Sequence, residues 1–153
     1  MTSRPTIHAT CVLVGARAVL IRGPAGAGKS RLALALLQAA RTGQLPFARL
    51  VADDRVALEA CHGRLLARPA PPLAGLIEIR GLGIRAVPFE PVAAVGRIVD
   101  LAAEAADRLP AEADRIATIA GVSLPRLTVA PGIDPLPLVF AFLGEDEHYK
   151  TVV

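Results

Sequence analysis

The most specific chemistry in this sequence lies in one run, Gly23-Pro24-Ala25-Gly26-Ala27-Gly28-Lys29-Ser30. It reads G-x-x-x-x-G-K-S and sits between the apolar stretch Ala18-Val19-Leu20-Ile21 and a helical pattern that begins near Lys29, the strand–loop–helix context that a phosphate-binding loop requires. Gly26 and Gly28 admit backbone angles that a Cβ resists, so successive N–H groups can turn inward around an anion. The following helix points its partly positive end at the same place, Lys29 adds a full charge, and the Ser30 hydroxyl is suited to Mg²⁺. The expected ligand is a nucleoside triphosphate with magnesium.

A second acidic element follows one helix later. The apolar segment Arg49-Leu50-Val51-Ala52 runs directly into Asp53-Asp54, and an acid at the end of such a strand completes many sites of this kind. A parallel neighbour would bring it towards the loop. Successive residues of a strand face opposite ways, so one carboxylate can hold magnesium while the other accepts a proton from an attacking hydroxyl. The plainer alternative is a polar turn, or an ion pair with Arg55.

The elements that position these groups are short. Ile7 to Val14 reads as a strand, Gly15-Ala16-Arg17 as a turn, and Ala18 to Arg22 as the partner strand. In that register His8 falls opposite Gly23, at the mouth of the loop; on spacing alone, a surface histidine at a strand start is the simpler reading. Arg31 to Arg41 is a helix with apolar residues on most faces, buried on more than one side, and Thr42-Gly43 ends it. Val56 to Ala60 and Leu65 to Arg68 form a second hairpin about Cys61-His62-Gly63, with His62 a solvated turn residue. Pro69 to Pro72 is extended. In Leu76-Ile77-Glu78-Ile79-Arg80-Gly81-Leu82-Gly83-Ile84, alternation sets Ile77 and Ile79 against Glu78 and Arg80, as in an edge strand with a polar outer face. Arg85 to Leu101 supplies a strand with Ile98 to Leu101 its best core segment, Ile116 to Ala120 and Leu127 to Ala130 are further strands, Ala102 to Pro110 is a polar loop or short helix, and Leu138 to Tyr149 has room for a strand and an acidic tail.

Composition bounds the function. With 153 residues, 53% of them hydrophobic, one domain spanning 1–153 with one substantial core is expected. The net charge of +3 comes from scattered arginines without a basic run, and 3% aromatics leave little to stack on bases, so nucleic acid is not an expected partner. Cys11 and Cys61 form no C-x-x-C pair, which points to neither a disulfide framework nor a zinc site. No signal peptide and no apolar span of membrane length are visible, and a cytoplasmic protein is expected.

Taken together, His8, the G-P-A-G-A-G-K-S loop, Leu50-Val51-Ala52-Asp53-Asp54-Arg55-Val56 and Leu76 to Ile84 resemble the catalytic domain of the HPr kinase/phosphorylase family. The resemblance runs from about His8 to Val129, where Pro125-Arg126-Leu127-Thr128-Val129 is similar to that family's P-K-I-T-V segment. It implies an α/β fold with a mixed sheet around the phosphate loop, like the nucleotide-binding core shared with phosphoenolpyruvate carboxykinase. It also implies ATP and Mg²⁺ as cofactors and a serine of the phosphocarrier protein HPr as the target, with regulation of carbohydrate metabolism as the outcome. By resemblance Gly23 to Ser30 bind the nucleotide, Lys29 the transferred phosphate, and Ser30 and Glu78 the metal, with Asp53 nearby. Asp54 matches the residue that deprotonates the target serine, His8 the active-site histidine, and Arg108 the catalytic arginine. The family is hexameric, so a homo-oligomer is implied. Ala130-Pro131-Gly132-Ile133-Asp134 is shorter and more acidic than the family's basic loop tied to dephosphorylation, as in short, single-domain forms. The alternative is a nucleotide-binding signalling module without phosphotransfer.

Overall fold

The computed structural model describes residues 4–104, 110–144 and 152. The chain enters through β1 (Thr6–His8), then β2 (Thr10–Val14) and β3 (Arg17–Arg22), which form the expected hairpin about Gly15-Ala16 with Thr10 opposite Ile21 and Val14 opposite Arg17. The continuous strand expected from Ile7 is broken at Ala9, whose N–H bonds to the Asp54 carbonyl at 3.3 Å. β1 therefore leaves the hairpin, and His8 lies opposite Arg55 rather than Gly23.

After the phosphate loop, α1 (Lys29–Arg41) ends where expected, with Thr42 as its C-cap and Gly43 in the left-handed region at φ +81°. It leads to β4 (Ala48–Ala52) and to the hairpin of β5 (Arg55–Cys61) and β6 (Arg64–Pro69), which turns on His62 and Gly63, both at positive φ. Two expectations about the next stretch are corrected. Pro71–Leu73 coil into a 3₁₀ turn, because proline suits the first positions of a helical turn as readily as an extended chain. β7 (Leu76–Ile79) and β8 (Gly83–Ala86) form a separate two-stranded sheet instead of an edge of the main one. Ile77, fully buried against the α1 layer, anchors this hairpin there.

The main sheet is mixed and runs β1-β5-β6-β9-β3-β2-β4, with β9 (Ala93–Asp100) at its centre. β10 (Ile116–Ile119) and β11 (Val122–Thr128) make a hairpin whose second strand pairs with Ile98–Asp100 of β9, while β6 pairs with Ala93 and Ala94 lower on the same strand. β3, β9 and β11 are mutually parallel. The neighbour expected for β4 was a parallel strand; β4 in fact pairs antiparallel to β2, which separates it from β3. Two reversals restore the direction, so β3, β4, β9 and β11 all end at one edge.

Alternation along β3 sends Val19 and Ile21 to one face, against Leu32, Ala33, Leu36 and Ala39 of α1, and Ala18 and Leu20 to the other, among Val51, Val56, Leu65 and Ile98. The final apolar run, read as a strand from Leu138, is the helix α2 (Pro135–Leu143). Asp134 caps it by accepting from the Leu136 N–H, the first-turn prolines need no donors, and fully buried Val139 packs on the α1 layer. Short apolar runs do not distinguish helix from strand by periodicity, and the cap decided it. No helix of the described residues is long and apolar enough to cross a membrane. Cys11 and Cys61 are free thiols, and burial pushes the Cys11 thiol up to about 12.

Leu36 is fully buried between α1 and the sheet. Its replacement in Leu36→Ala is expected to lower the unfolding free energy by about 3 kcal/mol, read from the urea midpoint at unchanged slope.

Candidate functional site

The candidate residues that the structure describes meet at the edge where β3 and β4 end. The loop leaves β3 at Gly23, where an added Cβ would sit 3.0 Å from the Leu101 carbonyl oxygen, so the close approach of the two strand ends demands glycine. Gly26 and Gly28 hold φ of +83° and +96°. Gly28 is the N-cap of α1 and supplies no side-chain acceptor, and no acidic residue lies in the first turn. The amide groups at this helix start are therefore uncapped by side chains and suited to an oxyanion. Lys29 folds back across the loop, its Nζ donating to the carbonyls of Gly23 at 2.8 Å and Pro24 at 3.1 Å.

Asp53 follows β4 and is only 5% exposed. Its Oδ1 accepts from Ser30 Oγ at 2.6 Å and from buried Thr10 Oγ1 at 2.9 Å, and its Oδ2 accepts from the Glu78 N–H at 3.0 Å. Three elements are thus tied to one carboxylate. The Glu78 side chain is exposed on the opposite side of β7 from buried Ile77. Ser30, Asp53 and Glu78 are hard oxygen donors, a set that fits Mg²⁺, which takes one or two carboxylates and completes its shell with water and phosphate. Among the described residues no cluster of three His, Cys, Asp or Glu forms a closed metal cage.

Asp54 points the other way. Its φ is +68°, and the Arg55 N–H bonds to the Asp53 carbonyl at 2.8 Å across it, making a tight γ-turn of the rare, strained hand. The turn separates the roles left open by strand alternation: Asp53 goes inward to the loop and Asp54 outward to solvent. His8 Nδ1 lies 3.5 Å from Asp54 Oδ1, with both side chains more than half exposed. The β1–β5 pairing brings them together. Arg108 lies outside the described residues.

Sequence reasoning missed two features. Thr10 reads as an ordinary strand residue, yet its hydroxyl fixes Asp53 across 43 positions of chain. Asp100, at the end of β9, receives Nε and Nη2 of Arg22 at 2.7 and 2.8 Å and Nε of Arg126 at 2.6 Å. This clamp locks the ends of β3, β9 and β11 together one residue before the phosphate loop. Burial opposes ionisation of Asp100, but the hydrogen bonds and charges of Arg22 and Arg126 outweigh it and hold its carboxyl below the usual carboxylate value. No local signal predicts the clamp, because its members are far apart in the chain.

The fold and its loop define an α/β protein with a mixed sheet and a G-x-x-x-x-G-K-S loop between a strand and a helix. Residues 1–90 match the family described as HPr Serine kinase C-terminal domain, and the chain belongs to that family. It is similar to an HPr kinase/phosphorylase of Streptococcus thermophilus, with 41% identity over 85 residues, covering 55% of this chain and 25% of that protein. One from Lacticaseibacillus casei is 40% identical over 85 residues, or 55% of this chain and 24% of that protein. The chain thus spans about a quarter of the length of the curated relatives it matches. The solved Hpr(Ser) kinase/phosphatase from Coxiella burnetii shares the fold, with a TM-score of 0.75 and 24% identity over 94% of this chain and 90% of that one. The family match stops at residue 90, whereas the fold likeness continues through the β9–β11 half.

Asp100 has a folded pKa below its unfolded one, so its stabilisation is complete above the unfolded value and is lost as pH falls through the folded value. Asp100→Asn leaves two partly exposed arginines without their counter-charge and is expected to cost about 2 kcal/mol at pH 7. Urea unfolding at pH 7 and at pH 3 checks this; the gap between variant and wild type narrows at the lower pH.

Proposed function

We propose that this chain is an ATP- and Mg²⁺-dependent protein serine kinase acting on the phosphocarrier protein HPr, in the cytoplasm, as a regulator of carbohydrate metabolism. The observation that carries the reading is the convergence of an uncapped phosphate loop, a buried Asp53 tied to Ser30 and the Glu78 backbone, and an outward Asp54 beside His8. Membership of the family supports it, and the relatives bear the name HPr kinase/phosphorylase. The same resemblance supports a single catalytic domain over 1–153 and a homo-oligomer.

Mg²⁺ held by Ser30, Glu78 and Asp53 would supply positive charge to offset that of the nucleotide's phosphates. The chain does the rest by positioning. Gly23, Pro24, Ala25, Gly26, Ala27 and Gly28 wrap the phosphates, and Lys29 releases its two carbonyls to reach the γ-phosphate. Ser30, Glu78 and Asp53 hold the metal. Ser30 donates its O–H to Asp53 and so leaves an oxygen lone pair for the ion, while Thr10 keeps Asp53 in register. Asp54 stands in solvent where a target serine can approach; it takes the hydroxyl proton as the serine oxygen bonds to the γ-phosphorus and the bond to the bridging oxygen breaks, with ADP leaving. His8, beside it, orients that carboxylate. Arg108 is assigned to charge on the transferred group by resemblance.

One observation favours a second reading. The segment Ala130-Pro131-Gly132-Ile133-Asp134 carries no basic residue. A nucleotide-binding signalling module without phosphotransfer would need none, and the phosphorylase direction is the activity most exposed to that difference.

Transfer of γ-³²P from ATP to purified HPr separates the readings. Wild type is expected to label an HPr serine. Asp54→Asn should bind ATP normally and transfer about 10²–10⁴-fold more slowly, and Lys29→Ala should lose about 10²–10³-fold through lost charge stabilisation. ATP binding without label in the wild type would establish the signalling module instead. In Thr10→Val, which keeps the shape but removes the donor, a higher Mg²⁺ requirement at unchanged fold is expected from titration of the transfer rate.

A further inference from the structure

Beside the phosphate loop the fold leaves a cleft of about 250 Å³. One wall is the loop tip, Gly26 and Ala27; the floor is Leu101 and Ala102, just past β9; the far wall is the turn from Val129 to Ile133, with Pro135 at the start of α2. We propose that this cleft takes the nucleoside end of the nucleotide, seating a purine base by apolar contact and backbone groups. The proposal rests on the nucleotide reading above and extends it to the end of the molecule that the loop motif leaves unspecified.

Continuity is the first argument. Gly26 and Ala27 belong both to the phosphate loop and to the cleft, so a molecule whose phosphates lie on the loop reaches the cleft with its other end. Location is the second. The cleft opens where the parallel strands β3, β9 and β11 end, the crevice in which open α/β sheets bind ligands. Lining chemistry is the third. Among the described residues, every lining residue is Gly, Ala, Leu, Val, Pro or Ile, without a charge or a side-chain hydrogen-bonding group. Such a surface rejects a phosphate or a charged peptide side chain and accepts a flat, uncharged ring. The volume lies just below the roughly 300–1,000 Å³ of sites for whole small molecules. It suits a base with part of its ribose, the phosphates being held outside.

The far wall is also preformed. The Val129 N–H bonds to the Asp100 carbonyl at 2.8 Å, the Ala103 N–H to the Val129 carbonyl at 2.9 Å, and the Ile133 N–H to the Ala130 carbonyl at 3.3 Å. Asp134 then caps α2. A pocket without polar side chains has little with which to tell the edge of adenine from that of guanine, so ATP and GTP are expected to bind within about tenfold of one another. A pyrimidine, which fills less of the cleft, is expected to bind more weakly.

Calorimetric titration of the full chain with Mg²⁺ and ATP, GTP, CTP or inorganic tripolyphosphate tests the assignment. The expected result is ATP tighter than tripolyphosphate by about tenfold or more, since the base buries apolar surface that the phosphates lack. Two uncharged variants probe the walls: Ile133→Ser, at a half-exposed position, and Ala130→Phe, which adds bulk. Each should weaken ATP about fivefold and leave tripolyphosphate within twofold, a control that also reports an intact loop. Tripolyphosphate binding as tightly as ATP, or variants that leave ATP unchanged or weaken both ligands equally, would overturn the cleft assignment. Base-dependent binding in a wild type that labels no HPr would overturn the kinase reading and leave the cleft standing.

Discussion

A buried carboxylate has to be satisfied, and Asp53 is satisfied by three parts of the chain that are far apart in sequence. Its partners are a hydroxyl from the start of β2, a hydroxyl from the start of α1, and a backbone amide from β7. Leaving such a group unpaired away from water costs several times what a surface contact is worth, so the three elements are held to it. The small β7–β8 sheet depends on this most. It joins no strand of the main sheet, and Ile77 below and the Asp53 bond at Glu78 above fix its distance from the phosphate loop.

A second buried carboxylate does the equivalent work on the other flank. Asp100 gathers Arg22 and Arg126 and so pins the ends of β3, β9 and β11. Because the loop begins one residue after Arg22, the clamp sets where the loop starts, and the contact of Gly23 with Leu101 sets how closely it passes. The loop is thus held between two carboxylate anchors, with the oxygen donors Ser30, Asp53 and Glu78 on one side and the apolar cleft on the Asp100 side. Polar side chains thus line one flank of the loop and apolar ones the other.

Family and fold cover different amounts of the chain. The family match ends at residue 90, after the loop, the Asp53-Asp54 pair and the β7–β8 hairpin, while the likeness to the Coxiella burnetii structure takes in 94% of the chain. The half that follows contributes the central strand β9, the Asp100 clamp and the wall of the cleft. Its strands are architectural, and architecture tolerates sequence change as long as burial and strand pairing are kept.

What the sequence determined alone is local. The G-x-x-x-x-G-K-S spacing dictated a strand–loop–helix unit, Thr42-Gly43 its end, and His62-Gly63 a hairpin turn, because each depends on backbone angles and bonds within a few residues. The pair Asp53-Asp54 announced a site but not which acid faces inward; the γ-turn at Asp54 and the donors around Asp53 decided that. His8 was drawn to the site by resemblance, and the hairpin register would have placed it opposite Gly23; pairing of β1 with β5 put it beside Asp54 instead. The terminal apolar run carried no period that separates strand from helix, and the Asp134 cap and the α1 layer made it α2. Thr10 with Asp53 and Arg22 with Asp100 join residues 43 and 78 positions apart. Bonds at such separations leave no pattern along the chain, since only the closing of the sheet brings their ends within reach.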